Sequence, residues 1–380
     1  MGVKNFNIIF ENPVKTYYPA EIVRGHISLT LDWPKKCRGL KIKGKGEAKT
    51  SWNTSAGKGQ TRYTGHEEYF SIKQYLTGGE SDEVELARGI HSFPFEFILP
   101  SRLPSSFESK LGYIRYTLKA IIDLPWKFDI ETKSPFTVIS KYDLNTDSNA
   151  SRPIVESRTH NFGCFSTTPP LTATLSMPVG GYVPGQIIPI NISINNQSGV
   201  TIYHVRLKLI KKVVFKVTKP RSQKRKKKTT IKEIHEGKIE NNNVSFDEFI
   251  EVPSLPSSNL NQCGIIDVQY AVELKLYIDK LCSRNLKFTT QVLIGTVPLN
   301  NCPFFTSVLS SVTQSSILPS SSAPPNYSSV INFELPPPTY EESIFAAENL
   351  QDDDDSQHVI GINDHFAPRY PVYKFPSHRP

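Results

Sequence analysis

Two four-residue stretches near the C-terminus share one pattern: Pro324-Pro325-Asn326-Tyr327 and Pro337-Pro338-Thr339-Tyr340. Adjacent prolines favour the polyproline II helix, which is already extended and needs little further ordering on binding. Aromatic-lined grooves of the WW type accept that shape. A single copy reads equally well as a Pro-rich linker, but two copies in one Ser/Pro-rich stretch favour a ligand. Ten residue steps separate Tyr327 from Pro337. They reach at most ~35 Å when extended and average roughly 17 Å as a flexible coil. Two neighbouring grooves of one partner are therefore within reach, and tethering raises apparent affinity ~10²–10⁴-fold where the geometry allows. Further on, Ala367-Pro368-Arg369-Tyr370 and Tyr370-Pro371-Val372-Tyr373 echo the motif without its first proline.

Charge supplies the next candidates. Seven of the ten residues from Lys219 to Lys228 are basic: Lys219, Arg221, Lys224, Arg225, Lys226, Lys227 and Lys228. The run sits between a strand-like stretch ending near Val217 and another near Ile231, which predicts a hairpin-loop extension. Three uses stay open. It is a solvated loop, a contact to anionic lipid or phosphopeptide, or a nuclear-import or nucleic-acid element, for which nothing else in the chain offers base readout. Lys41, Lys43 and Lys45 alternate and so share one strand face, by default a solvent face; the alternative, a contact to a partner's phosphate, has no other support in the sequence. From residue 301 onward there are 9 Asp/Glu against 3 Lys/Arg, a net of −6, whereas the whole chain carries +8. A basic body with an acidic tail suggests that the body faces something negative. The run Asp352–Asp355 reads as a solvated, disordered spacer.

Catalytic signatures do not appear. There is no G-x-S-x-G elbow, no phosphate-cradling GxxxxGK[ST] loop, no H-E-x-x-H and no Cys/His cluster, so no metal, cofactor or catalytic residue is assigned. Five scattered cysteines without a C-x-x-C pair fit reduced thiols in the cytosol. No ~18-residue apolar run exists. The N-terminus lacks the pattern of a signal peptide, and Phe6 occupies the Ser/Thr position that myristoylation of Gly2 would want.

Strands must position these groups. Phe93, Phe95, Phe97 and Leu99 alternate, as do Ile114, Tyr116, Leu118, Ala120 and Ile122. After a polar connector, alternation resumes with Ile188, Ile190, Ile192 and Ile194, then Tyr270, Val272, Leu274, Leu276 and Ile278. Frequent turn residues and the lack of a long amphipathic helix predict all-β sandwiches. The two blocks repeat each other. Leu103-Pro104-Ser105-Ser106 matches Leu255-Pro256-Ser257-Ser258 at an offset of 152, and Tyr116 matches Tyr270 at 154. One sandwich has been duplicated.

The tandem sandwich, the Tyr-x-Pro-Gly start at Tyr182–Gly185 and Leu-Pro-Ser-x followed by Gly-x-Ile-x-Tyr resemble the arrestins. The two Pro-Pro-x-Tyr motifs narrow the resemblance to the α-arrestins, over essentially the whole chain. One departure is Ala20, where Gly is commoner. A positive-φ turn disfavours Ala, which predicts another turn type there. The resemblance implies two immunoglobulin-like arrestin domains, 1–145 and 165–300, joined by a 146–164 linker and followed by a disordered tail, 301–380. It implies a non-enzymatic cytosolic adaptor, recruited to the plasma membrane and endosomes. Such adaptors link receptors or transporters to WW-domain HECT-type ubiquitin ligases and promote ubiquitination, endocytosis and sorting. Pro324, Pro325, Tyr327, Pro337, Pro338 and Tyr340 would be the WW ligands, and Pro368, Tyr370, Pro371 and Tyr373 an accessory contact. A sorting scaffold with a secondary ligase link is the alternative, and a basic nuclear factor the alternative from another class; nucleic acid is not an expected partner.

Overall fold

The structure, a computed structural model, describes residues 2–56, 59–162, 169–240, 242–278, 285–300, 333–336, 347, 349–352, 354–356 and 359–375. Its first sandwich uses β1 (Val3–Phe10), β2 (Thr16–Tyr17), β3 (Ile22–Leu31), β4 (Lys35–Cys37), β5 (Gly39–Ala56), β6 (Gly59–Gly78), β7 (Val84–Leu86), β8 (Gly89–Ile98), β9 (Gly112–Asp123) and β10 (Ile130–Val138). One sheet runs β1-β3-β8 and the other β2-β10-β9-β5-β6. A 3₁₀ turn, Leu144–Thr146, leads to the second sandwich. Its strands are β11 (Ile154–His160), β12 (Leu171–Met177), β13 (Gly181–Tyr182), β14 (Ile187–Asn196), β15 (Ile202–Val217), β16 (Gln223–Glu236), β17 (Asn243–Glu251), β18 (Ile266–Ile278) and β19 (Leu286–Ile294). They form β11-β12-β14-β17 and β13-β19-β18-β15-β16. Three two-residue strands follow, β20 (Phe333–Glu334), β21 (Val359–Ile360) and β22 (Val372–Tyr373).

The alternation does what the sequence predicts. Ile114, Tyr116, Leu118, Ala120 and Ile122 are all fully buried, as are Ile188, Ile190 and Ile192. Phe95, Phe97 and Leu99 are buried, and Phe93 packs partly buried against the same core. At roughly 1.5–3 kcal/mol for each large apolar side chain taken out of water, these rows carry both sandwiches.

The duplication extends to hydrogen bonds. Tyr116 Oη donates to the Pro104 carbonyl at 2.6 Å, and Tyr270 Oη to the Pro256 carbonyl at 2.7 Å. Ser106 Oγ accepts from the Val138 amide, and Ser258 Oγ from the Ile294 amide. The repeated Leu-Pro-Ser-Ser thus pins each sandwich's central tyrosine and its last strand.

Two expectations change. The 146–164 connector is only partly a linker, because Ile154–His160 pairs antiparallel with β12 as a sheet-edge strand. The turn at Ala20 is not of another type. Ala20 holds φ +66°, in the same left-handed region as Gly185 at +89° in the second copy.

Candidate functional site

The residues that would bind WW grooves, Pro324, Pro325, Tyr327, Pro337, Pro338 and Tyr340, lie outside the described residues. Their surroundings do not. The second sandwich ends with β19, and β20 lies three residues before Pro337. There β20 pairs antiparallel with β22, Phe333 opposite Tyr373 and Glu334 opposite Val372.

The weaker Pro-Tyr echo forms a strap across both domains. Tyr370 is 3% exposed, and its hydroxyl donates to the Ser106 carbonyl of the first sandwich at 2.9 Å. Its own carbonyl accepts from Ser254 Oγ of the second. The Tyr373 amide donates to the Pro184 carbonyl, and its hydroxyl to the Thr296 carbonyl. Pro368 and Pro371 are buried as well. In this docked state Tyr370 and its prolines face the sandwiches instead of an outside groove. Gly185 shows how closely the strap passes, because a Cβ there would lie 2.0 Å from the Tyr373 carbonyl oxygen.

Upstream of the strap the acidic run is not a solvated spacer. Ala347 and Phe366 exchange backbone hydrogen bonds, and the Leu350 amide donates to Ile362. This neck closes a loop whose tip carries Asp352, Asp354 and Asp355 onto the β5-β9-β10 face. Lys133 Nζ lies 2.9 Å from Asp352 and 2.7 Å from Asp355. Lys119 lies 3.0 Å from Asp355, Lys45 3.2 Å from Asp354, and Lys43 3.1 Å from Asp354. The gap left among these side chains is about 10 Å³, room for one water at most. Beyond the tip, β21 adds in parallel to β10, Val359 beside Glu131 and Ile360 beside Thr132. Arg115 closes the row, forked onto Glu108 and donating to the Asn349 carbonyl.

Electrostatics follows from this packing. Burial alone would raise the Asp352 carboxyl, but the bonds and charge of Lys133, and then Lys45, hold it well below the ordinary range. Asp354 is lowered by its bonds to Lys43 and Lys45. Burial works to lower Lys45, yet Glu47, Asp352 and Asp354 raise it. Removing one partner from a buried pair of this kind costs about 3–5 kcal/mol, because a charge is left without a counter-ion.

Lys41, Lys43 and Lys45 do share a face, but Lys45 is buried beneath the acidic loop. Lys119, Lys133 and Arg115 complete the site and were missed by sequence reasoning. The available signal was charge at Arg115 and Lys119, alternating with the apolar row of β9.

The basic run is also placed differently from the sequence reading. It is not a loop extension, since β16 pairs along β15 from Val217 opposite Gln223 to Val205 opposite Glu236. The turn before it touches the first sandwich, where Lys219 and Thr64 exchange backbone hydrogen bonds. Arg221 Nε donates to Tyr63 Oη at 3.2 Å. Arg225 lies over Trp52 and donates to Thr54 Oγ1. Lys224, Lys226 and Lys228 face solvent, although Lys228 pairs with Glu273. Strand alternation thus splits the run between an interdomain contact and an exposed edge.

Among the described residues no group of three His, Cys, Asp or Glu is placed to hold a metal ion, and no helix is long and apolar enough to cross a membrane. What the molecule offers is surface: two like sandwiches, a charged face and a strap. That defines a tandem-sandwich binding protein of the arrestin type. The family model for "Arrestin (or S-antigen), N-terminal domain" matches residues 6–145, and that for the "C-terminal domain" matches residues 167–299. Arrestin domain-containing protein 17 of Caenorhabditis elegans is 30% identical over 77% of this chain and 70% of its own length. Arrestin domain-containing protein 4 of Mus musculus is 29% identical over 87% of this chain and 83% of its own. Arrestin domain-containing protein 1 of Mus musculus is 30% identical over 79% and 67%. The chain belongs to the α-arrestins, the arrestin domain-containing proteins, an adaptor family whose membership supports a role in trafficking.

Proposed function

We propose that this protein is a cytoplasmic adaptor that brings WW-domain HECT-type ubiquitin ligases to membrane receptors or transporters, promoting their ubiquitination, endocytosis and endosomal sorting. The observation that carries this reading is the pair of Pro-Pro-x-Tyr motifs within one stretch directly following two arrestin domains. Two prolines of each motif would stack in a WW groove, and Tyr327 or Tyr340 would fill the neighbouring pocket. Recruitment to the plasma membrane and endosomes would follow cargo. The exposed Lys224 and Lys226 suit a supplementary contact to anionic lipid.

The β20–β22 pair bears on the reading, because Phe333 lies between Tyr327 and Pro337. A ligase engaging both motifs at once would meet a linker pinned at its middle while the strap is docked. The test is ligase pulldown by wild type and by the Tyr327→Ala, Tyr340→Ala double variant. Loss of capture in the double variant is the expected result, and capture at wild-type level sinks the proposal.

A further inference from the structure

The two most exposed large apolar side chains among the described residues sit on one turn. Trp126 is 101% exposed and Phe128 89%. Both belong to the hairpin Leu124-Pro125-Trp126-Lys127-Phe128-Asp129 between β9 and β10. Its base is fixed, since Ile122 pairs with Ile130 and the Leu124 amide donates to Asp129 Oδ1 at 3.0 Å. Leu124 itself is buried, so only the tip stands free. Trp126 holds φ +61°. Glycine fits that region without cost, whereas a bulky ring there is an outlier. Replacing Trp126 would relieve the strain and take an apolar ring out of water. Strain kept at an exposed aromatic points to a use.

The setting narrows that use. The tip lies at the end of the first sandwich remote from the second. Asp123 pairs with Gly39 at the start of β5, whereas Thr50, eleven residues further along β5, donates to the Lys216 carbonyl of the second sandwich. Eleven residues of strand span roughly 36 Å. The same end carries Trp33, 68% exposed, on the turn before β4, and the Arg38 amide just after β4 donates to the Asp123 carbonyl at 2.8 Å. Two of the chain's three tryptophans thus stand in solvent at one end, while Trp52 is buried. Charge there is largely cancelled. Lys36 pairs with Glu83, Lys73 with Glu80, and Arg38 and Lys41 with Asp123. Lys127 stands exposed between the two rings.

A convex aromatic tip with one lysine and little spare charge matches the boundary between lipid headgroups and acyl chains. Tryptophan rings favour that layer, phenylalanine enters it as apolar area, and a lysine stem lies along it with its ammonium at the phosphates. A fluid layer closes round a convex point, whereas a protein partner must supply a socket of matching shape. We propose that the β9–β10 tip is an anchor to the phospholipid bilayer, with Trp126 and Phe128 inserted at the headgroup–acyl boundary and Lys127 on the phosphates. The proposal deepens the membrane setting of the function above and rests on that reading. Its test contains neither ligase nor cargo, so the two fail separately.

The experiment uses the full chain and vesicles of phosphatidylcholine, alone or with about one-third phosphatidylserine. The Trp126→Ala, Phe128→Ala variant removes no packed group and should keep the wild-type urea midpoint. It should bind both vesicles about tenfold or more weakly than wild type, because two apolar side chains no longer leave water. Trp126→Phe alone keeps an apolar ring and should retain binding. Salt at about 0.5 M should change binding to phosphatidylcholine little. A second readout needs no change at the tip. Trp33→Phe leaves Trp126 as the one tryptophan in solvent. Its emission should move to shorter wavelength on phosphatidylcholine vesicles and be quenched by lipids brominated near the top of the acyl chain. Equal vesicle binding by wild type and the double variant overturns the proposal, as does Trp126 emission that brominated lipid leaves untouched. Binding confined to phosphatidylserine vesicles and abolished by Lys224→Ser, Lys226→Ser would assign the contact to the edge of β16 and overturn it too.

Discussion

Gly185→Ala adds one methyl group at the corner where the strap crosses the second sandwich. Two costs can be separated there. The first is backbone strain, since φ is +89° and a left-handed L-residue costs about 1–2 kcal/mol. Ala20 bears this cost in the first copy, at φ +66°, so strain alone is survivable. The second cost is contact. The new Cβ would lie 2.0 Å from the Tyr373 carbonyl oxygen and 3.0 Å from Val372 Cγ1. Tyr373 must then move, losing its amide bond to Pro184 and its hydroxyl bond to Thr296. At about 0.5–1.5 kcal/mol each, those losses bring the total to about 2–5 kcal/mol. The assay is urea denaturation, with hydrogen exchange following the second sandwich, in wild type and in a Tyr370→Ala, Tyr373→Ala background. With the strap already loosened, Gly185→Ala should cost only its strain, about 1–2 kcal/mol. An identical cost in both backgrounds, within about 0.5 kcal/mol, would refute the idea that this glycine is set by the strap.

Tyr116→Phe and Tyr270→Phe each strip a buried carbonyl, Pro104 or Pro256, of its donor. Each should cost about 1–3 kcal/mol, and the two should add because they sit in different sandwiches; strong coupling in the double variant would contradict the reading. Burial, followed by the hydrogen bond and charge of Glu236, pushes the Glu248 carboxyl up to about 7 from 4.5. A raised carboxyl binds its proton more tightly when folded, so its contribution is complete below the unfolded value and is lost as pH rises through about 7. Denaturation midpoints taken between about pH 5 and 8 should fall less with pH in Glu248→Gln than in wild type, and parallel curves would remove Glu248 as the cause.

The inner faces of the strands were legible because burial on one side writes period-two alternation, as in Ile114 to Ile122 and Ile188 to Ile194. What escaped was set by residues far away in the chain. Ile154–His160 is polar enough to pass for a connector and becomes a strand only by lying beside β12. Lysine-rich Gln223–Glu236 passes for a loop because charge predicts exposure, yet an edge strand tolerates, and is protected by, lysine. The covered face of β9 could not be read from β9 itself, since Asp355 reaches Lys119 across 236 residues.

Ala20 and Gly185 show why a repeat is most informative where its copies differ. Both corners make the same left-handed turn, so the turn cannot explain why one copy keeps glycine and the other does not. The difference lies in what passes over each corner, and the backbone of Tyr373 passes over Gly185. The lysine row follows the same logic. Lys73, Lys43, Lys119 and Lys133 lie in one cross-strand line, and among the described residues the carboxylates that meet Lys43 and Lys133 come from Asp352, Asp354 and Asp355. Both places mark where the chain beyond residue 340 touches the sandwiches. The tail is therefore written into the body's sequence: as glycine where its backbone needs room, and as lysine where its charge needs a partner.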